Sequence, residues 1–231
     1  MTQAGPLRWR TGAGWLVLAG GGTWEDGGTG AIDAAALGWA DLDRPVAVLL
    51  TAGGSTATGE ALLEYYADLG GPSGDVIPIF DAADAQQAEN CRLLEQAGLI
   101  YIADGPDTSR LVQALHASPA LEAMAQAFEY GAVVIGLGAG AIALGAWYAD
   151  PNHPEQIAPG WGWLPDAIIE PHFSGSESTG RLRTLVKVHP TCLGLGIPQR
   201  VALALGPDGR VETLGDGQVT VVLGRIHGEE R

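Results

Sequence analysis

Residues 133–141, Val-Val-Ile-Gly-Leu-Gly-Ala-Gly-Ala, constrain the fold more than any other stretch of this chain. Five apolar residues of strand length run into a segment made of glycine, alanine and leucine. That is the composition of a buried strand turning tightly into a helix, where small residues let two backbones approach closely. The rest of the chain has to supply a sheet around that strand and helices to cover it.

Apolar runs of strand length alternate with helix-periodic stretches, as expected for a mostly parallel sheet wrapped by helices. Strands are predicted at 15–19, 45–50, 76–80, 99–103 and 133–137, and a short one at 167–171. Helices are predicted at 31–39, 59–69, 83–97, 108–116, after Ser118-Pro119, and at 180–188. Gly98 stops one helix, a capping threonine opens another, and Pro119 suits a first turn. Residues 147–162 carry Pro151, Pro154 and Pro159 and read as an irregular excursion. Strands at 201–205, 210–214 and 218–223, separated by glycine-rich turns, read as a C-terminal antiparallel meander. The expected fold class is therefore α/β, a mostly parallel central sheet with helices on both faces and an antiparallel end, forming one domain over residues 1–231.

Composition excludes several functions. With 46% hydrophobic and 17% charged residues, and no apolar run long enough to cross a bilayer, the chain reads as soluble and globular, and a cytoplasmic location is expected. A net charge of −15, from 12 Lys and Arg against 27 Asp and Glu, argues against nucleic acid, which needs a basic stripe. The 2 cysteines, Cys91 and Cys192, are too few and too distant for a zinc site or disulfide framework.

The pattern Gly136-x-Gly138-Ala139-Gly140-Ala141 closely resembles the G-x-S-A-G-A turn of the serine peptidase family that contains cyanophycinase and dipeptidase E. Other segments resemble the same family in the same order. Strand one ends in Gly20-Gly21 and strand two in Thr51-Ala52-Gly53-Gly54-Ser55. Leu99-Ile100-Tyr101-Ile102 is followed by Gly105-Pro106-Asp107. Then come Pro171-His172-Phe173, Gly180-Arg181-Leu182 and the stretch 194–205. The resemblance implies a fold like the class I glutamine amidotransferases and serine-type hydrolysis of small peptides.

The departures fall where chemistry would occur. Gly138 stands where the resemblance puts the nucleophilic serine. Pro106, which has no N–H to donate, stands where a glycine of the oxyanion turn is expected, beside Gly105 and Asp107; Ala139 would supply the other oxyanion amide. The arginines that follow the histidine in the family correspond to Ser176 and Ser178, and its Asp-Glu pair to Pro198 and Gln199. His172 corresponds to the family's general base, and without a serine it is expected as a hydrogen-bonded structural histidine. The acidic partner is expected from the loop after the turn, as Asp150 or Glu155. Losing a nucleophile costs about six orders of magnitude in rate, so the expected state is a catalytically degenerate member.

Other readings are open. Ser174, Ser176 or Thr23 could serve as a displaced nucleophile of an active peptidase for Asp-containing peptides. Gly136-x-Gly138-x-x-Ala141 between strand and helix also matches a nucleotide-binding loop, although no second strand with an acidic residue follows it. Asp150, His153 and Glu155 could be metal ligands, yet polar residues in a proline-rich loop are usually solvated, and neither metal nor cofactor is expected. Trp161 and Trp163 either wall a pocket or cover a core edge. The expected partner is a small peptide or other small molecule in the cleft, with no nucleic acid and no membrane. A bound anion or an ordered water is expected near Gly138 and Ala139.

Overall fold

The computed structural model describes residues 7–150 and 153–224, with side chains described except at 150 and 153–156. Four parallel strands form its centre. They are β1 (Leu16–Ala19), β2 (Val46–Leu49), β4 (Leu99–Ile102) and β5 (Val133–Leu137), with β3 (Gly74–Ile77) parallel to β2 at the edge. The hairpin β10 (Ala202–Leu205) and β11 (Val211–Leu214) adds antiparallel to β1, giving the order β11-β10-β1-β5-β4-β2-β3.

Both faces of these strands are apolar because both are covered. Leu16, Leu18, Ala47, Leu49, Ile100, Ile102 and Val134 point into one core with Leu111, Met124 and Phe128. Their alternates Val17, Ala19, Val46, Val48, Leu99, Tyr101, Val133 and Ile135 point into another with Ile32, Leu62 and Tyr66. The first core lies under α3 (Ala88–Gln96), α4 (Thr108–Leu115) and α5 (Pro119–Glu129), the second under α1 (Gly30–Trp39) and α2 (Thr56–Asp68). Helix starts follow the capping signals. Ser55 and Ser118 accept hydrogen bonds from the N–H of Thr58 and Leu121, and Asp107 accepts one from Arg110.

A second sheet differs from expectation. Residues 145–150 and 153–159 are not irregular; β6 (Gly145–Asp150) and β7 (His153–Pro159) pair antiparallel. Prolines are compatible with β7 because it is an edge strand, whose outer N–H groups have no ladder to join. With β8 (Leu164–Glu170), β9 (Leu193–Gly196) and β12 (Thr220–Val222) they make the order β12-β9-β8-β6-β7. The expected three-strand meander is corrected accordingly: β10 and β11 stay with the first sheet while β12 pairs with β9 in the second. One face of the second sheet joins the first core through Ala167, Ile169 and Leu195. Ile168 faces the other way, under α7 (Gly175–Val188), which begins five residues earlier than its periodicity suggests.

Trp161 and Trp163 cover a core edge. Trp163 is buried against Phe128, and the Trp161 indole N–H donates to Val112 O at 3.3 Å. Cys91 and Cys192 are free thiols, and among the described residues no helix is long and apolar enough to cross a membrane.

Candidate functional site

In open α/β sheets the carboxyl ends of parallel strands gather the loops that bind and react. Here those ends are Gly20–Gly22 after β1, Asp104 and Gly105 after β4, and Gly138 after β5. The stretch Pro171–Phe173, after β8, reaches them from the second sheet.

Gly138 forms the apex of the turn between β5 and α6 (Ala139–Leu144), at φ +50° and ψ −107°. A side chain is strained in that backbone conformation, and the space is taken besides. A Cβ on Gly138 would lie 2.1 Å from the carboxyl carbon of Asp104. The backbone N–H of Ala139 donates to Asp104 Oδ1 at 2.9 Å, and that of Gly105 donates to the same oxygen at 2.8 Å. Oδ2 faces His172 Nε2 at 3.1 Å. The site next to the turn therefore already holds an anion, and it is the chain's own.

His172 is fixed by its backbone. Its N–H donates to Gly20 O at 2.6 Å, and it adopts φ +48°, rare for a residue with a side chain. The ring lies over Gly21, where a Cβ would come within 2.4 Å of Nδ1, so only glycine fits beneath it. Gln199 Nε2 lies 3.4 Å from Nδ1. The next residue, Arg200, is also left-handed at φ +63°, donates its N–H to Gly21 O at 2.8 Å and pairs with Asp26. Two strained residues thus grip the same glycine loop.

The electrostatics follow from the pairing. Burial pushes the Asp104 carboxyl up, but hydrogen bonds from His172, Ala139 and Gly105 and the charge of His172 outweigh it and hold the group below its ordinary value. The hydrogen bond to Asp104 raises His172 against partial burial, with help from the charges of Asp104 and Glu170. Carboxylate and imidazolium stabilise one another in a site that is open to solvent, at 34% and 45% side-chain exposure.

Asp104 was absent from the residues expected to form the site. Its position was the available signal, at the carboxyl end of a buried strand directly before the Gly105-Pro106-Asp107 turn. The side chains expected in its role, Asp150 and Glu155, lie outside the described residues, as does that of His153. Pro106 packs its ring against Gly53, and the amide of this turn that reaches the site is that of Gly105. Asp107 caps α4, and its N–H donates to Ala52 O at 3.0 Å. Ser174 precedes α7 at its cap position, Ser178 Oγ accepts from the Ser174 N–H, and Ser176 and Thr23 are exposed; none of them is hydrogen-bonded to His172. The expected bound anion or water is corrected too, because the Asp104 carboxylate occupies the Ala139 N–H. The same contact removes an amide that a nucleotide loop would need, and α6 leads into β6 with no second βαβ strand. Among the described residues no cluster of His, Cys, Asp and Glu could hold a metal ion.

The model of peptidase family S51 matches residues 49–212. A cyanophycinase from Synechococcus elongatus is 31% identical over 191 residues, covering 78% of this chain and 59% of the relative. A cyanophycinase from Geminocystis herdmanii is 26% identical over 179 residues, 74% of this chain and 65% of that one. The chain therefore spans about three fifths of the length of these relatives. The crystal structure of a peptidase from an acI-B1 Actinobacterium superimposes with a TM-score of 0.72 at 23% identity, covering 93% of each chain, and shares the fold. The chain belongs to peptidase family S51.

Proposed function

We propose that this chain is a member of the family that has lost serine-peptidase chemistry while keeping the backbone of its site. The Asp104 carboxylate against Gly138 carries this reading. A serine at 138 is the nucleophile that the family resemblance calls for, and a Cβ there would sit 2.1 Å from Asp104 Cγ. The amides that would stabilise a tetrahedral intermediate are instead bonded to Asp104. Without nucleophile or free oxyanion donors, what remains for a peptide is weak catalysis from binding alone.

The test is hydrolysis of Asp-X dipeptides and β-aspartyl-arginine, the substrate class that the family resemblance implies. The unmodified chain is expected to be inactive, and turnover by it would overturn the reading. Gly138→Ser alone is expected to stay inactive because Asp104 blocks it. Gly138→Ser with Asp104→Gly removes the block and frees both amides, and is expected to gain measurable hydrolysis. Pro106→Gly is expected to add little, since Gly105 already provides an amide.

A further inference from the structure

We propose that Asp104 is itself a nucleophile and that the site opens small terminal epoxides with water, through an ester on the Asp104 carboxyl group. Three contacts carry this. Oδ1 accepts two backbone N–H groups, from Ala139 and Gly105, at 2.9 and 2.8 Å. Oδ2, left free of them, faces His172 Nε2 at 3.1 Å. Both side chains are partly exposed, Asp104 at 34% and His172 at 45%, so a small molecule can reach the pair from solvent.

The arrangement selects among reactions. If Asp104 only oriented a general base, the other ring nitrogen would have to face the reaction, but Nδ1 is turned to Gln199 at 3.4 Å and packed over Gly21. If the substrate were an ester or amide, its own carbonyl oxygen would need oxyanion donors, and both amides are already on Oδ1. Those donors suit a tetrahedral centre formed on Asp104 Cγ, whose oxyanion would be Oδ1. The electrophile is then a saturated carbon. An oxygen leaving group is the one that makes use of the proton on Nε2, which the ion pair holds beside the attacking oxygen.

The steps balance. Oδ2 attacks one epoxide carbon, the ring C–O bond breaks, and the alkoxide takes the Nε2 proton from His172. Neutral His172 then removes a proton from water, and the hydroxide attacks Cγ. The oxyanion at Oδ1 collapses, the ester C–O bond breaks, and the diol leaves with the proton from His172. The new Asp104 carboxylic acid returns its proton to Nε2. Net, one epoxide and one water give one diol, with an oxygen of the water left in Asp104.

That last feature is the test. The protein is mixed in excess with propylene oxide or glycidol in ¹⁸O-labelled water for a single turnover and digested with trypsin. The peptide of residues 93–110, which contains Asp104, is then sequenced by mass spectrometry. One ¹⁸O on Asp104, absent in Asp104→Asn, whose Tm stays within about 4 °C of the parent, and diol formation reduced about 100-fold or more in His172→Ala are expected. Unlabelled Asp104 with both epoxides overturns the proposal, and so does labelled diol without labelled Asp104, which signifies direct attack by water. The outcome is independent of the dipeptide assay, so either reading can fail alone.

Discussion

At Gly138 two constraints act on one atom. A side chain there is strained by the backbone, at about 1–3 kcal/mol, and collides with Asp104, at about as much again. Gly138→Ser should therefore lower stability in urea by a few kcal/mol, and Asp104→Gly in the same molecule should return the part due to the collision. Equal stability of single and double variants would show that Asp104 moves aside freely. The ion pair gives a pH signature. The Asp104 value is depressed from 3.8, so its contribution is present above 3.8 and lost as pH falls through the folded value. The His172 value is raised from 6.5, so its contribution is full below 6.5 and lost as pH rises through the folded value. Asp104→Asn should thus cost most between these limits and progressively less above neutrality, by less than about 1 kcal/mol because both groups are open to solvent. Urea midpoints of the two proteins across pH check this, and a constant difference would contradict it. His172 was legible in the sequence because a short motif surrounds it. Asp104 was not, since apart from the adjacent Gly105 its partners lie at positions 139 and 172 and nothing local in the sequence brings them together.

At the scale of elements, helices α1 and α2 meet through a buried acid. Asp33 on α1 accepts hydrogen bonds from the hydroxyls of Tyr66 at 2.7 Å and Tyr65 at 3.2 Å. Burial raises the Asp33 carboxyl, and burial together with the Asp33 charge pushes Tyr65 up to about 12. An acid raised by folding is a cost that grows as pH rises through its unfolded value. Asp33→Asn keeps an acceptor without that charge and should be nearly neutral at pH 7. Asp33→Ala strands the buried Tyr66 hydroxyl and should cost about 1–3 kcal/mol. Similar Tm values for the two variants would argue against the role of the hydrogen bond. Ser118 both caps α5 and donates to Leu115 O, so Ser118→Ala should cost about 1–2 kcal/mol in urea unfolding. The parallel strands and most helices were legible from alternation and breakers, because each of them buries a continuous apolar face. The β6–β7 pair was hidden by its prolines, which bar a helix and a central strand but are compatible with an edge strand. The first turn of α7 was hidden because Gly175, Ser176 and Glu177 are exposed and the one side chain it buries, Ser178, is polar.

Over the whole molecule, 27 acidic against 12 basic side chains leave a net charge of −15, which compaction concentrates. Raising salt from about 10 to about 150 mM shortens the screening length from about 30 to about 8 Å. The urea midpoint should rise over that range, and a flat or falling midpoint would show that the charges are already balanced locally. The exchange of β12 between sheets lay beyond sequence reading, since Gln218–Leu223 pattern equally well against β11 or β9. The crowding of Gly138 also bears on descent. If a serine once stood at that position, Asp104 could not have been in its present place at the same time, so the change at 138 came first or together with a shift of the β4 turn. Once Asp104 had settled onto the amides, no single substitution at 138 could lead back. On that line of descent the two positions would work as a ratchet, the order of change at each being set by an overlap of one carbon with another.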